Sequence, residues 1–343
     1  MFSTKRLAGG CVLALFFSFC LGNVPVFAED ISPKAKKVLT FPPESKLFSA
    51  HFDGNNYVWV SPRKLVYCQY HKDGKLHFLL YDLDTKRTGT LLGLDRNYRK
   101  RSGLTFELQA SPGGKWIVWQ NNSDDSARGG SGTSTLDGEQ TFVTEDEKFH
   151  RAWTDDKGNW IALNGRDDLS TDLESVSLFH FGKKTRRDLK FPSKTRGTDY
   201  NSPVVTTRKG SSLQLHFVDS KWNRDSSKDT CSIETYEIGQ KLKAVSSQRM
   251  EVPPKLDVAR TLLSPNARLV MWACHDEKRH VSLWLTEVTT GKTKFFAKLP
   301  TPDLDHFTSI YNSLLWLPDS RGISFVSQGT LYLFDVKQKK HTY

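Results

Sequence analysis

From residue 57 onward, the hydrophobic residues of this chain occur in short runs, in many of which apolar and polar positions alternate. Typical runs occupy positions 57–60, 65–70, 115–119, 213–218, 269–272 and 330–335. They are rich in β-branched and aromatic residues and are separated by Gly, Pro, Asn and Asp, which is the pattern of short β-strands. After residue 28 no helical periodicity of three to four residues is sustained. The pattern therefore predicts an all-β protein.

A tight turn interrupts these strands at regular intervals. Its first residues are Ser61, Ser111, Thr154, Thr207, Ser264 and Leu317. The turn therefore recurs about every 51 residues. Where proline follows, it presets φ for a type I turn, and Gly or Asn is expected to take the positive φ that comes next. A later strand in most units ends in a hairpin rich in Lys or Gly, at 82–87, 181–184, 238–241, 287–292 and 335–339.

Each unit thus contains a strand, a tight turn, a strand, a variable loop, a strand, a hairpin and a strand. Units of this kind are typical of a β-propeller, because one four-stranded sheet cannot cover both of its faces and must stack radially with others. The predicted fold is all-β, a six-bladed β-propeller of four-stranded antiparallel blades. The approximate blades are 46–94, 104–145, 149–191, 200–252, 258–299 and 307–343. Two β-sandwiches are the alternative, but they would not explain six returns of the same turn.

Two segments carry the repeat most clearly. Residues 111–119 read Ser-Pro-Gly-Gly-Lys followed by Trp-Ile-Val-Trp, and residues 317–325 read Leu-Pro-Asp-Ser-Arg-Gly followed by Ile-Ser-Phe. The last blade continues the match through 331–336, and the fifth matches at 264–266 and 287–292. This combination resembles the TolB-type, WD40-like propeller repeat. The resemblance implies a propeller along the whole chain after the leader, and it implies little about function, because one fold hosts many functions.

A strand-like run at 36–41 has no partner within the first blade. We expect it to pair at the outer edge of the last blade, where it would cover an otherwise open sheet edge. The expected organisation is a secretory leader at 1–28, an N-terminal segment with this closing strand at 29–45, and the propeller at 46–343.

The leader is predicted from the first 28 residues. Lys5 and Arg6 precede an apolar run at 7–21, and a small residue, Ala28, ends the segment as a cleavage site requires. A membrane span needs about 20 apolar residues, and glycines interrupt this run, although a retained anchor is the alternative. We expect a periplasmic or secreted protein with no transmembrane segment in the mature chain and no nucleic acid as partner.

The charge of the chain points to one face of the propeller. Its 343 residues carry a net charge of +11, which falls to +9 when Lys5 and Arg6 leave with the leader. One rim is expected to be positive through the hairpin residues Lys86, Arg87, Lys183, Lys184, Arg186, Arg187, Lys241, Lys243, Lys292, Lys294, Lys337, Lys339 and Lys340. Such a rim would attract acidic proteins, anionic lipid headgroups or wall polymers. Alternatively, the lysines only keep exposed sheet edges soluble.

Candidate binding residues lie in loops between the second and third strands of a blade, on the face opposite the hairpins. They are Asp124, Asp125, Asp167, Asp168, Trp222, Asp225 and Asp229, with Arg99 and Arg101 from a connection between blades. Clustered Asp oxygens could hold Ca²⁺, but the EF-hand spacing is absent, so no cofactor is expected and solvated loops are the alternative. An exposed Trp222 would anchor a protein partner.

Sequence motifs for catalysis are missing. The segment 129–133 lacks the final Gly of a nucleophile elbow, and no phosphate-binding loop, dinucleotide fingerprint or zinc motif occurs. The leading hypothesis is an exported, non-enzymatic scaffold that binds an envelope or extracellular protein or an anionic polymer. The alternative is a lyase or hydrolase acting on polysaccharide or peptide at the mouth of the central channel.

Three cysteines follow the leader: Cys68, Cys231 and Cys274. They are expected to be small buried residues. A bridge between Cys231 and Cys274 is possible only if their strands adjoin.

Overall fold

The computed structural model describes most of the sequence that was expected to form strands. The described residues are 35–41, 57–70, 76–94, 105–111, 113–122, 130–137, 141–144, 152–154, 159–165, 172–180, 185–196, 204–221, 230–253, 257–278, 280–299, 310–311 and 313–336. Within these ranges, 24 β-strands form six four-stranded sheets. Each of the six segments marked by the turn spacing contributes one sheet, and we number the sheets in that order.

Sheets 1 to 3 are each built from four consecutive antiparallel strands. Sheet 1 contains β2 (Tyr57–Ser61), β3 (Lys64–Tyr70), β4 (Leu76–Asp82) and β5 (Arg87–Leu94). Sheet 2 contains β6 (Thr105–Ala110), β7 (Trp116–Asn122), β8 (Gly130–Thr135) and β9 (Thr141–Thr144). Sheet 3 contains β10 (Ala152–Thr154), β11 (Asn159–Gly165), β12 (Asp172–His180) and β13 (Thr185–Arg196).

Strand β13 extends beyond the end expected at residue 191. Its ladder with β12 shifts register between the pairs Ser175–Lys190 and Leu173–Thr195. Pro192 lies in this shift, and proline has no backbone N–H to give to a ladder. The bulge leaves proline out of the pairing and lets the strand resume after it.

Sheets 4 and 5 follow the same plan, and sheet 6 differs. Sheet 4 contains β14 (Val205–Lys209), β15 (Ser212–Lys221), β16 (Thr230–Ile238) and β17 (Leu242–Met250). Sheet 5 contains β18 (Asp257–Leu263), β19 (Leu269–His275), β20 (Val281–Glu287) and β21 (Thr293–Lys298). Sheet 6 contains β22 (Leu315–Trp316), β23 (Gly322–Ser327), β24 (Thr330–Asp335) and β1 (Ala35–Thr40).

The fourth strand of sheet 6 comes from the other end of the chain. Strand β1 pairs antiparallel with β24, from Ala35 opposite Phe334 to Thr40 opposite Thr330. The backbone N–H of Phe41 extends the pairing by donating to the carbonyl of Gly329 at 2.9 Å. The order β1-β24-β23-β22 places β1 at the edge of the sheet. The pairing expected for residues 36–41 is confirmed.

Neighbouring sheets pack face to face in chain order. Hydrophobic clusters join sheet 3 to sheet 4, sheet 4 to sheet 5, and sheet 5 to sheet 6. Another cluster joins sheets 6, 1 and 2, and β10 of sheet 3 lies against β6 and β7 of sheet 2. Central strands are therefore buried on both faces, as in β23, whereas the outer strand β17 is exposed at seven successive positions. This stacking explains why central strands such as β19 show continuous apolar runs instead of alternation.

The tight turns are held by their first residues. Ser111 Oγ accepts hydrogen bonds from the backbone N–H groups of Lys115 and Trp116, at 3.0 and 3.1 Å. At the fourth position Gly114 has a φ of 67°, and a Cβ there would lie 1.7 Å from the carbonyl oxygen of Val60 in sheet 1. Only glycine allows this approach of two sheets.

The expectation that Gly or Asn takes the positive φ is correct for Gly114 and wrong for two other turns. Ala267 and Ser320 occupy the same position with φ of 55° and 60°. Each follows an Asn or Asp, at 266 and 319, whose side-chain oxygen accepts the N–H of the residue two places on, at 3.1 and 2.9 Å. This Asx hydrogen bond stabilises the turn and offsets the cost of a positive φ at a residue with a Cβ.

The three cysteines are free and buried. Cys231 and Cys274 belong to the same hydrophobic cluster between sheets 4 and 5, but no disulfide joins them. Burial raises the pKa of each thiol, to about 12 for Cys231 and Cys274. All three are therefore neutral at physiological pH.

None of the helical residues in the described ranges belongs to a helix long and apolar enough to cross a membrane.

Candidate functional site

The antiparallel order of the strands sorts the connections onto two faces. We call turn face the end that carries the connections between first and second strands and between third and fourth strands of each sheet. The loop face carries the connections between second and third strands and those from one sheet to the next. Because successive strands run in opposite directions, this sorting follows from strand order.

The candidate loops predicted from the sequence connect strands that end at the loop face. Asp124, Asp125, Asp167, Asp168, Trp222, Asp225, Asp229, Arg99 and Arg101 all fall outside the described residues. The calcium alternative rests on the same loops. Both therefore stay predictions.

The best described group on the loop face lies between β19 and β20. Asp276 Oδ1 accepts a hydrogen bond from the backbone N–H of His280 at 2.9 Å, and its Oδ2 lies 2.9 Å from Nδ1 of the same histidine. Hydrogen bonds from the His280 side chain and backbone hold the pKa of the Asp276 carboxyl below its usual value. In the adjoining ladder, Asp257 lies opposite His275.

The sequence analysis did not single out this group, because it matches none of the catalytic or metal-binding motifs considered there. The signal that could have found it is an acid and a histidine four residues apart in a short connection between two strands. Across the described ranges, no group of three or more His, Cys, Asp or Glu side chains could hold a metal ion. The geometry therefore gives Asp276 the role of closing its loop.

A buried histidine lies in the middle of sheet 4. His216 Nε2 is 2.7 Å from Thr207 Oγ1, and its Nδ1 is 3.0 Å from Thr235 Oγ1. Burial lowers the pKa of His216 to about 4, because the charged form would lose its hydration. The imidazole is neutral at pH 7 and bridges three strands through two hydroxyl groups, which is a structural role.

A buried tyrosine lies where sheet 6 meets sheet 1. Tyr57 Oη donates a hydrogen bond to the carbonyl of Ser313 at 2.6 Å and lies 2.9 Å from Ser324 Oγ. Trp59 Nε1 donates to the same Ser324 Oγ at 2.7 Å. Burial raises the pKa of Tyr57 far above its usual value. This network ties two sheets together, and burial keeps the phenol neutral.

The turn face is strongly basic. All eight hairpin cations that the structure describes are exposed, and the tight turns add seven exposed cations that the sequence analysis did not place there. The fifteen are Arg63, Lys64, Lys86, Arg87, Lys115, Arg186, Arg187, Arg208, Lys209, Lys241, Lys243, Arg268, Lys292, Lys294 and Arg321. In or beside the same connections lie eight acids, Asp82, Asp84, Asp137, Asp188, Glu237, Glu287, Asp319 and Asp335. Lys183, Lys184, Lys337, Lys339 and Lys340 lie outside the described residues.

Some of these cations are paired with carboxylates. Ion pairs between described residues of this face include Arg63–Asp84 at 3.6 Å, Lys64–Asp82 at 3.3 Å, Arg186–Asp188 at 2.9 Å and Arg321–Asp319 at 3.9 Å. Exposed pairs of this kind stabilise a fold little, because water screens them. In the described part of the chain, none of the five hairpin lysines, Lys86, Lys241, Lys243, Lys292 and Lys294, takes part in an ion pair. The turn face thus keeps a net positive charge after its internal pairs are counted.

Comparison with known proteins addresses the fold. No protein-family model matches the chain, and no curated protein matches it. Among solved structures, the chain is similar to one chain in the crystal structure of the mitotic checkpoint complex. The TM-score is 0.51 and the identity 11%, over 90% of this chain and 97% of that chain. At this identity the likeness concerns the fold alone. Together with the stacked four-stranded sheets, it decides the architecture.

The chain is a β-propeller.

Two further structures are weaker matches to this propeller. TolB from Acinetobacter baumannii gives a TM-score of 0.47 at 13% identity, over 80% of this chain and 64% of that chain. An oligogalacturonate lyase in complex with manganese gives 0.46 at 14% identity, over 81% of this chain and 76% of that chain. The propeller fold implied by the resemblance to the TolB-type repeat is confirmed.

Proposed function

We propose that this propeller is exported and acts as a binding scaffold in the cell envelope, with a protein or an anionic polymer as its partner. The observation that carries the proposal is the turn face, to which all six sheets contribute exposed cations and on which the described turns are short and hydrogen-bonded. A rigid ring with charged strand ends offers a fixed surface to a partner at little cost in conformational entropy. The pattern of residues 1–28 supports export.

A ring of six blades, closed by β1, is part of this proposal. The stacking of sheet 6 on sheet 1 supports it, since Phe41, Val326 and Leu331 pack in one cluster with the residues of β2 and β3. A closed ring would keep every sheet covered on both faces.

An enzyme would need ionisable side chains from several sheets to converge at the channel mouth. In the described residues, the large pKa shifts of Tyr57, Cys68, His216, Cys231 and Cys274 arise first from burial within the sheets. These shifts favour neutral groups that hold the fold together. They therefore support the scaffold over the lyase or hydrolase alternative.

Export is tested by expressing the full chain with a C-terminal tag in a Gram-negative host and sequencing the N-terminus of the recovered protein. We expect a periplasmic protein that begins at Glu29. A membrane-bound protein that keeps Lys5 and Arg6 would contradict export as a free chain and favour a retained anchor.

The scaffold is tested by chemical cross-linking in intact cells of the source organism, followed by identification of the cross-linked partners. We expect the same envelope partner to be recovered repeatedly with the tagged wild-type chain. Loss of that partner in a variant with charge reversals at Lys241 and Lys292 would assign its binding to the turn face, and its retention would assign its binding to the loop face. Recovery of cytoplasmic proteins alone would contradict the proposal.

A further inference from the structure

The distribution of charge on the turn face carries a more specific inference. Each of the six sheets contributes at least one exposed cation to it, from Arg63 in sheet 1 to Arg321 in sheet 6. Because the contributors are spread around the ring, the charge covers a broad face. It is not gathered into one groove of the kind that a single extended polymer would follow.

The hairpin backbones are held in place by local hydrogen bonds. Asp82 Oδ1 accepts the N–H groups of Asp84 and Thr85, at 2.9 and 3.1 Å, in the hairpin that carries Lys86. The N–H of Gly291 donates to the carbonyl of Glu287 at 2.8 Å in the hairpin that carries Lys292. The lysine side chains therefore extend from fixed positions at one end of the sheets.

The hairpins offer charge without an apolar anchor. Their residues include Thr85, Gln240 and Thr290 beside the lysines. In the described ranges, the exposed large hydrophobic residues are Val245 and Phe295, which lie on the outer strands β17 and β21. A protein partner usually provides aromatic or aliphatic contacts at the centre of its interface, and this face presents none of its own among the residues described.

From these observations we infer that the turn face docks on an anionic lipid surface. A flat layer of negative headgroups can meet cations from all six sheets at once, and each Lys or Arg near such a surface contributes about 1 kcal/mol. The attraction would weaken as the salt concentration rises, because dissolved ions screen electrostatic interactions and shorten their range to about 3 Å at 1 M salt. This inference rests on the proposed export and scaffold function. On the turn face the lipid surface would then take the place of a polymer, and the loop face, directed away from the membrane, would bind the protein partner of the scaffold.

The test uses the protein recovered after export and vesicles of two compositions, phosphatidylcholine alone and phosphatidylcholine with phosphatidylglycerol. Binding is measured by co-sedimentation over a series of salt concentrations. We expect binding to the phosphatidylglycerol vesicles at low salt, its loss at high salt, and none to phosphatidylcholine alone. Absence of binding to the anionic vesicles at low salt overturns the inference.

Two matched variants locate the binding. Lys241→Glu with Lys292→Glu reverses two charges on the turn face, and Lys278→Glu with Lys298→Glu reverses two exposed charges away from it. Both variants change the net charge equally. We expect the first to weaken binding to anionic vesicles at least about tenfold and the second to change it much less. Equal losses in the two variants overturn the inference, because net charge alone would then explain binding.

Polygalacturonate, an anionic polymer, serves as the alternative ligand and is immobilised on a resin. Retention of the protein on immobilised polygalacturonate without binding to anionic vesicles overturns the lipid inference and favours a polymer. The N-terminal sequence of the recovered protein reports export separately. Failure to bind vesicles is therefore distinguishable from failure of the proposed export.

Discussion

Sheets 6 and 4 both bury polar side chains, but they satisfy them in different ways. In sheet 6, Ser324 Oγ accepts a hydrogen bond from Trp59 Nε1 and lies 2.9 Å from Tyr57 Oη, both in sheet 1. In sheet 4, His216 lies between Thr207 and Thr235 of its own sheet. One polar group joins two sheets, and the other joins strands within a sheet.

The two contacts differ in how far apart in sequence the joined residues lie. Sheets 6 and 1 meet through residues more than 250 positions apart in sequence, so loop closure opposes their contact. Specific hydrogen bonds and the strand β1 stabilise that junction. Sheet 4 forms from consecutive strands, so its contacts join residues that are near in sequence. Its buried histidine adds hydrogen bonds within a sheet that needs no long loop closure. Changes at the junction should therefore cost more than changes within sheet 4.

The largest effect is expected from removing β1. Deletion of residues 29–42 would expose the edge of β24 and remove Phe41 from its contact with Tyr67, whose ring centroid lies 5.4 Å away. We expect the melting temperature to fall by at least about 10 °C, because the loss of an edge strand should cost more than any single substitution below and each kcal/mol shifts the melting temperature by about 2–4 °C in domains of moderate size. Differential scanning calorimetry measures the change.

Deletion of residues 29–34 alone is the control, because it keeps β1. An unchanged melting temperature after the longer deletion would show that β1 does not stabilise the ring.

The next effect distinguishes contact between sheets from contact within one. Gly114→Ala places a Cβ against the carbonyl of Val60 in the neighbouring sheet, whereas Gly210→Ala has the same positive φ, at 62°, with open space around it. We expect Gly210→Ala to lower the free energy of unfolding by about 1–2 kcal/mol. Gly114→Ala should cost roughly 2 kcal/mol more, through the overlap. Urea unfolding measures both, and equal losses would mean that the two sheets can move apart freely.

A smaller effect is expected at the hydrogen-bond junction itself. Ser324→Ala leaves the buried N–H of Trp59 and the hydroxyl of Tyr57 with fewer partners, at a cost of about 2–3 kcal/mol. Ser327→Ala in the same strand is the matched control, because among the described residues its side chain forms no hydrogen bond. If the two variants unfold at the same urea concentration, the junction does not depend on Ser324.

The smallest effect is a pH dependence within sheet 4. The folded protein holds the pKa of His216 at about 4, below its ordinary value of 6.5. The unfolded chain therefore binds a proton first as the pH falls, and stability that is present above pH 6.5 is lost toward pH 4. Between pH 7 and pH 5 this group should account for about 2 kcal/mol.

The unfolding free energies of the wild type and His216→Gln, measured by urea at both pH values, test this contribution. We expect the variant to lose less stability on acidification than the wild type. Parallel losses in the two proteins would assign the pH dependence to other groups.

Much of the architecture could be predicted from the sequence because it is written in local patterns. Turns such as 111–115 and hairpins such as 287–292 recur at a regular spacing. The strand-like run at 36–41 has no partner nearby in sequence, so it could be predicted to pair with the edge of the last sheet. The positive φ of Ala267 was missed because the expectation considered only Gly and Asn at that position. The turn is stabilised by the side chain of the preceding residue, Asn266.

The polar contacts were harder to predict. The hydrogen bond between His216 and Thr207 links residues that are not opposite each other in the ladder, so it depends on side-chain direction as well as register. The added cations of the turn face, such as Arg268, could have been found from strand alternation alone. The acidic loops, including Asp124 and Asp225, fall outside the described residues, so their role in binding stays a prediction.

The placement of β1 has a consequence for how the protein is made. Its threonine at position 40 meets Thr330 in the finished sheet, 290 positions later. Strand β1 therefore leaves the ribosome well before its partner β24. Until β24 has been synthesised, β1 cannot take its place in sheet 6, and its backbone groups lack the partners that they have in the finished sheet.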